Sequence, residues 1–239
     1  MSGDVYVVVP AAGAGRRMGS AIPKQYLQLN GRTVLEHTLG RMAGHARVRQ
    51  VVVAISADDE LYASLAPRLP AKVVSVIGGA ERCHSVLAAL RSLSGLAAAD
   101  AWVMVHDAAR PCVRREDLDR MLAELVDSEI GGVLAAPVRD TLKRCDADGA
   151  ILATVDRSAL WHALTPQMFR LRTLLHAIEA ALVAGVIVTD EAQAIERAGL
   201  TPRVVAGHAD NLKITHPEDL PLASLILAAQ AAARGGDTQ

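Results

Sequence analysis

The sequence predicts an α/β fold in which a mainly parallel sheet lies between layers of helices. Short apolar runs alternate along the chain with segments of helical periodicity, beginning with the run at residues 6–9. These runs are rich in Val and Ile and apolar at successive positions, which is typical of strands that are buried on both faces. With 239 residues, 51% of them apolar, the chain suits one domain built in this way.

The predicted elements follow this alternation along the chain. Strands are predicted at residues 6–9, 50–55, 72–76, 101–105 and 132–138. Helices are predicted at residues 34–44, 59–69, 85–93, 115–127 and 172–184, with a buried C-terminal helix over 220–233. Pro217, Glu218 and Asp219 are residue types that favour the start of this last helix. We expect a single domain over residues 1–234 and a disordered tail at 235–239.

The composition argues against nucleic acid and membranes as partners. A net charge of −1 gives no general attraction to polyanions, and 3% aromatic residues leave no stacking platform for single strands. The apolar tract at 220–233 is too short to span a bilayer, and the N-terminus lacks the pattern of a signal peptide. Three cysteines without a Cys-x-x-Cys pair favour a reducing compartment, so we expect a cytoplasmic protein.

Residues 139–161 interrupt the alternation and predict a hairpin outside the main sheet. Asp148-Gly149 lies between two extended segments, which is typical of a tight hairpin turn. A lone hairpin has too little core to be stable, so we expect it to pack on a partner, most simply a second copy of the chain. The alternative is a surface hairpin without a partner.

A glycine-rich loop with fixed positive charge follows the first predicted strand. Glycines let backbone N–H groups approach an anion, and cations supply the charge that a phosphate chain needs, so the loop predicts a polyphosphate site. A plain strand-to-helix turn with solvated arginines is the alternative. The loop and the cations that follow it are Pro10, Ala11, Ala12, Gly13, Ala14, Gly15, Arg16, Arg17 and Lys24.

Two familiar phosphate-binding loops do not match this sequence. The Walker A pattern does not occur, and the third glycine of a dinucleotide fingerprint is displaced by one residue, to Gly19. The acidic residue that would bind a ribose is also missing at the expected distance, because Glu36 lies in a helical pattern. The remaining interpretation is a loop for a nucleoside triphosphate that undergoes attack at phosphorus.

Two further loops follow predicted strands, at the strand ends where parallel sheets bind ligands. Gly78 and Gly79 allow close approach of a planar base, and Ser85 suits a base contact or a helix cap. Asp107 suits a divalent cation, a ribose hydroxyl or an ion pair with Arg110. Polar motifs later in the chain together suggest a second anionic site, although each alone fits a solvated loop.

Taken in order, these motifs resemble the 2-C-methyl-D-erythritol 4-phosphate cytidylyltransferase family of the non-mevalonate isoprenoid pathway. The resemblance implies a Rossmann-like nucleotidyltransferase fold with a protruding β-arm at 139–161 that clasps a second subunit. It implies transfer of CMP from CTP to 2-C-methyl-D-erythritol 4-phosphate with Mg²⁺, and no fused cyclodiphosphate synthase domain. The matching motifs, between about residues 7 and 222, lie at 10–18, 23–26, 78–85, 106–111, 136–141, 154–157, 165–167, 189–192 and 210–213.

The resemblance also implies roles for individual residues. Arg17 and Lys24 stabilise the transition state, while Arg157 and Lys213 position the acceptor, Arg157 coming from the opposite subunit. Mg²⁺ is held mainly by the triphosphate, with Asp107 as an open choice of protein ligand. Helpers at the acceptor site are Thr141, Thr165 and Thr189. The nucleotide contacts are Pro10, Ala11, Ala12, Gly13, Ala14, Gly15, Gly79, Arg82, Ser85, Asp107 and Ala108.

Three other functions remain open from the sequence. A cytidylyltransferase for ribitol 5-phosphate would share the CTP half of the site, and the acceptor motifs disfavour it by resemblance. A non-catalytic nucleotide sensor on the same fold would not need Arg17 and Lys24. An NAD-dependent oxidoreductase is disfavoured by the glycine spacing.

Overall fold

The structure, a computed structural model, describes residues 4–13 and 22–236. Short 3-10 turns occur at Lys24–Tyr26 and Ala66–Arg68. The strands are β1 (Val5–Pro10), β2 (Gln28–Leu29), β3 (Arg32–Thr33), β4 (Val48–Ile55), β5 (Val73–Ile77), β6 (Trp102–Val105), β7 (Gly131–Pro137), β8 (Leu142–Cys145), β9 (Ile151–Val155), β10 (Trp161–Arg170) and β11 (Arg203–Ala206). The helices are α1 (Val34–Ala43), α2 (Glu60–Leu65), α3 (Arg82–Ser94), α4 (Arg115–Leu125), α5 (Leu171–Val183), α6 (Glu191–Arg197) and α7 (Asp219–Gly236).

The central sheet has seven strands in the order β11-β7-β10-β6-β1-β4-β5. Neighbouring strands pair in parallel except β10, which runs antiparallel between β6 and β7. Strand β1 shows why continuous apolar runs are needed, since Val7 packs in one core with α1 and α4 while Val8 packs in the other with α3 and α5. The predicted mainly parallel sheet between helix layers is confirmed.

The five predicted strands correspond to β1, β4, β5, β6 and β7, with ends within two residues of the prediction. Helix α2 is shorter than predicted: it ends at Leu65, and a 3-10 turn that contains Pro67 follows directly. Helix α3 begins three residues earlier than predicted, at Arg82. Helix α7 is buried along one side only, where Ala223 and Leu227 pack, and it extends to Gly236, past the predicted start of the tail at 235; residues 237–239 lie outside the described residues.

Strand β10 was not predicted, because its middle carries Thr165, Pro166 and Gln167. Proline cannot donate to a strand ladder, and it is tolerated in a sheet at an irregularity. The pairing of β10 with β7 shifts register between Ala163 and Gln167, so Pro166 falls within that irregularity. Strand β11 and helix α6 were also not predicted; both are short, with four and seven residues.

The predicted hairpin is formed by β8 and β9, which pair with each other and with no other strand of the described chain. The turn includes Gly149 at φ +85°, a conformation that favours glycine. The segment that carries the hairpin leaves the main sheet after Pro137 and re-enters it at Trp161. Pro137 on β7 is the pairing partner of Trp161 on β10. No helix within the described residues is long and apolar enough to cross a membrane.

Candidate active site

A cleft of about 320 Å³ opens at the carboxyl ends of β1, β5 and β6. In parallel sheets this edge is where ligands bind, because the loops after the strands converge there. Its walls come from the loop after β1, the turn at Lys24–Tyr26, the glycine loop before α3, the segment after β6 and the loop before α7. Five stretches of chain that are distant in sequence therefore meet at one cavity.

This cleft gathers the described part of the predicted nucleotide site. Lys24 from the predicted catalytic pair and Lys213 from the predicted acceptor site also line it. Ala14, Gly15 and Arg17 lie outside the described residues. The nucleotide residues that line it are Pro10, Ala11, Ala12, Gly13, Gly79, Arg82, Ser85, Asp107 and Ala108.

The described start of the first glycine loop is anchored by Gln25, a contact that sequence reasoning missed. Its Nε2 donates to the carbonyl oxygens of Ala11 at 2.8 Å and Gly13 at 3.2 Å. These contacts join the described part of the loop, residues 10–13, to the 3-10 turn at Lys24–Tyr26. The available signals for Gln25 were its position beside Lys24 and its place in the matching motif at 23–26.

The second glycine loop touches the first. A Cβ at Gly78 would lie 2.9 Å from the Cβ of Ala12 and 2.7 Å from Ser85 Oγ, so only glycine allows this approach. Ser85 does not cap α3, because the helix already begins at Arg82 and Ser85 lies inside it. Instead, its Oγ accepts a hydrogen bond from the Gly79 N–H at 3.2 Å and fixes the loop.

The floor of the cleft carries a buried charge cluster around Asp107. Oδ1 accepts from Arg82 Nε at 3.1 Å, and Oδ2 lies 2.8 Å from Lys213 Nζ and 3.5 Å from Arg110 Nε. Burial alone raises the pKa of Asp107, but the three cations outweigh burial and hold that pKa well below its usual range. The carboxylate therefore stays ionised and holds Lys213 at the cleft wall.

Arg82 links this cluster to α6. Its guanidinium donates two hydrogen bonds to the buried carboxylate of Glu191, at 2.6 and 3.0 Å. Such a bidentate pair fixes the plane of the guanidinium as well as its position. Burial raises the pKa of Glu191, and the contact with Arg82 offsets part of that rise. The cluster thus sets three cations against two carboxylates and leaves positive charge for a ligand.

Asp107 does not fit a directly bound metal ion in this arrangement, because both of its oxygens contact cations. Across residues 4–13 and 22–236, no group of three or more His, Cys, Asp or Glu side chains is arranged to hold a metal ion. The described side chains that contact the Asp107 carboxylate are cations, which suit an anionic ligand.

A buried polar network lies beneath Asp107. His106 Nε2 bonds the Arg110 carbonyl at 3.0 Å, which assigns the ring proton to Nε2, so Nδ1 accepts from the Thr165 hydroxyl at 3.0 Å. The same hydroxyl accepts from the Asp107 N–H at 3.1 Å. Burial lowers the pKa of His106 to about 4, so the ring is neutral at pH 7.

The loop that carries Lys213 is anchored on both sides of that residue. Asn211 Nδ2 donates to the Thr165 carbonyl at 2.7 Å, and Ile214 N–H donates to the Ala109 carbonyl at 2.9 Å. Lys24 Nζ donates to the Ile214 carbonyl, also at 2.9 Å. Lys24 and Lys213 are therefore placed by the same short loop.

The remaining predicted acceptor residues do not line the cleft of their own chain. Arg157 donates to Thr141 Oγ1 at 3.1 Å, and both are exposed at the base of the hairpin. Thr189 is exposed before α6, where its N–H donates to Gln193. Thr165 is buried and its hydroxyl contacts the 106–107 segment.

A layered α/β fold with two glycine loops and a cationic cleft at its strand ends defines a nucleotide-binding class of protein. Comparison with known proteins gives the family within that class. The family model for 2-C-methyl-D-erythritol 4-phosphate cytidylyltransferase (IspD) matches residues 5–229. The chain belongs to this family of nucleotidyltransferase enzymes.

Individual relatives agree with this assignment. A 2-C-methyl-D-erythritol 4-phosphate cytidylyltransferase of Shewanella amazonensis is 52% identical over 229 residues, covering 96% of this chain and 95% of the relative. One of Vibrio atlanticus is 54% identical over 225 residues, covering 94% and 96%. A crystal structure of 4-diphosphocytidyl-2C-methyl-D-erythritol synthase is 38% identical with a TM-score of 0.82, covering 94% of this chain and 99% of that one. The Francisella tularensis enzyme is 36% identical with a TM-score of 0.78, covering 93% and 99%.

The buried neutral His106 predicts a pH-dependent stability. The unfolded chain protonates this histidine near 6.5, whereas the folded chain does so near 4, so acidification between these values favours the unfolded state. We expect the free energy of unfolding to fall from pH 7 to pH 4.5, with His106 contributing on the order of 3 kcal/mol. Urea unfolding at pH 7, 6 and 4.5 measures this loss.

The matched variant is His106→Asn, which removes the titrating group. In this variant the free energy of unfolding should change less between pH 7 and pH 4.5. His176→Gln, at an exposed position on α5, should leave the dependence as in the parent chain. If the free energy of unfolding fell equally with pH in His106→Asn and in the parent chain, His106 would not be the source of the pH dependence.

Proposed function

We propose that this chain transfers CMP from CTP to 2-C-methyl-D-erythritol 4-phosphate, giving 4-diphosphocytidyl-2-C-methyl-D-erythritol and pyrophosphate for isoprenoid precursor biosynthesis. The observation that carries this proposal is the meeting of the two glycine loops, Lys24 and Lys213 around one cationic cleft. The family assignment supports the nature of both substrates.

The transfer of CMP requires neutralisation of negative charge more than it requires proton transfer. The acceptor phosphate is already an anion near neutral pH, so one of its oxygens attacks the α-phosphorus of CTP directly and pyrophosphate leaves in line. The enzyme must hold two mutually repelling anions together and neutralise charge on the pentacoordinate transition state. Lys24 lines the cleft, and we assign it this role together with Arg17.

For the nucleotide, we assign the loops around Ala12 and Gly79 to the cytosine edge; these loops touch at Ala12 and Gly78, and Ser85 holds the second loop through the Gly79 N–H. Asp107 then serves the ribose or the positioning of Lys213. Mg²⁺ enters as part of the substrate, bound to the triphosphate, which agrees with a cleft whose Asp107 is already engaged by cations.

For the acceptor phosphate, Lys213 supplies a cation at the cleft wall and Arg157 supplies a second one from the hairpin of a partner copy. Thr141 and Thr189 assist. The hairpin exposes Ile151 and Leu152 by 64% and 63%, an apolar surface that a second copy would cover. The active enzyme is then a homodimer whose two sites are each built from both chains.

The reaction is tested by pyrophosphate release with CTP, Mg²⁺ and either 2-C-methyl-D-erythritol 4-phosphate or ribitol 5-phosphate. We expect release with the first acceptor alone. Release with ribitol 5-phosphate alone would keep the CTP site but overturn the acceptor assignment. No release with either acceptor would favour a nucleotide sensor.

Removing one transition-state cation should affect the chemical step. We expect Lys24→Ala and Arg17→Ala each to lower the turnover number about a hundredfold, equivalent to about 3 kcal/mol. Arg91→Ala, which breaks a surface ion pair with Glu179 on other helices, is the control and should keep full activity. Unchanged turnover in both lysine and arginine variants would refute their assignment.

A shared site predicts complementation between two inactive variants. Arg157→Ala and Lys213→Ala should each be nearly inactive alone, but a mixed dimer contains one intact site and one doubly defective site. Co-expression in equal amounts should restore about a quarter of full activity, because half of random dimers are mixed. If Arg157 served its own chain, co-expression would restore nothing.

A further inference from the structure

A second cleft, of about 260 Å³, lies between α1 and the start of α4 and is separate from the active site. It shares no lining residue with the cleft around Asp107. Three arginines line it, one from each of three elements or their flanks, namely Arg32 on β3, Arg41 on α1 and Arg115 on α4. His37 also lines it, with Nε2 2.7 Å from the Leu29 carbonyl oxygen.

The carboxylates of Glu36 and Asp119 lie near this cleft, and each contacts more than one other residue. Glu36, which lines it, accepts hydrogen bonds from the Thr33 N–H and hydroxyl, at 2.7 and 2.9 Å, and pairs with Arg68 at 3.3 Å. Arg68 is not a lining residue, so it offsets the charge of Glu36 from outside the cleft. Asp119 lies 3.8 Å from Arg115 and 2.9 Å from His45.

Arg32 gives the cleft an uncompensated charge. Its side chain is exposed, and among the described residues no carboxylate lies within 4.0 Å of it. Arg41 is fixed at the cleft wall by a hydrogen bond from Nη1 to the Val113 carbonyl at 2.8 Å. The cleft therefore combines one positioned guanidinium with two exposed ones, an arrangement that suits the oxygens of a phosphate group.

Gly40 is one of the residues that line this cleft. It lies inside α1, where glycine is less favourable than alanine by roughly 0.5–1 kcal/mol. A Cβ built at Gly40 would meet nothing within 4 Å, so packing does not require glycine here. The missing side chain instead preserves space beside Arg41, one residue further along the helix.

We propose that this cleft is a second anion-binding site, for a small metabolite that carries a phosphate or diphosphate group. Arg32 and Arg115 attract and pair with the phosphate oxygens, Arg41 supplies the fixed donor, and the space at Gly40 admits the ligand. This site does not depend on the reaction proposed for the first cleft, although pyrophosphate, as a reaction product, would bind there as well.

Binding of inorganic pyrophosphate, measured by calorimetry and by equilibrium dialysis with labelled ligand, tests the proposal. We expect two sites per chain in the parent protein. The double variant Arg32→Gln, Arg115→Gln should weaken one of them by about tenfold or more, and Gly40→Leu should abolish the same one. Lys213→Ala should weaken only the other.

Two controls separate a built site from general charge effects. Arg91→Gln with Arg172→Gln removes two exposed arginines on other helices and should leave both sites intact. Gly40→Leu should melt no lower than the parent, because leucine is a better helix former than glycine and a Cβ at this position meets nothing within 4 Å. A single site in the parent protein, or a second site that is indifferent to Gly40→Leu and to the Arg32, Arg115 pair, would overturn the proposal.

Discussion

The buried carboxylate of Asp107 is the interaction on which the active site depends. An ionised group with so little water around it is tolerated only when cations and N–H donors surround it. Arg82, Arg110 and Lys213 provide that compensation, and each is drawn from a different part of the chain. The same contacts that stabilise the carboxylate also place Lys213, so the stability of the site and its readiness for a phosphate have one physical origin.

The sheet makes this convergence possible. Because β1, β4, β5 and β6 run in parallel, their carboxyl ends lie along one edge, and the loops after β1, β5 and β6 meet there without long connections. Antiparallel β10 contributes differently, since it brings Thr165 beside His106 and Asn211 beneath the cleft. Thr165, in the middle of β10, therefore connects the segment after β6 to the loop that carries Lys213.

The pattern of neighbouring residues in the sequence was enough to predict the strands and loops that position the active site. It did not predict the contacts between site residues that are far apart in the chain. The Val-rich strands and the glycine loops were predicted because their signals lie in adjacent residues. Strand β10 was not predicted, because Pro166 and its polar neighbours are not typical of a central strand. They are tolerated there because the pairing of β10 with β7 is irregular at this point. The contacts of Arg82 with Glu191 and of Asp107 with Lys213 join residues about a hundred positions apart, and no local pattern encodes them. Of the two roles that the sequence allowed Ser85, the helix cap was wrong, because α3 begins three residues earlier than predicted.

The paired ends of the hairpin have a consequence for how such a site can diversify. Pro137 and Trp161 face each other across neighbouring strands, so the intervening segment can lengthen, shorten or change composition while the sheet keeps its register. The hairpin's share of the proposed acceptor site, with Thr141 and Arg157, is therefore carried by a segment outside the sheet, whereas Lys213 stays with the nucleotide cleft. Remodelling this one exposed segment would change the acceptor contacts of the hairpin, while Lys213 and the cleft around Asp107 stay as they are.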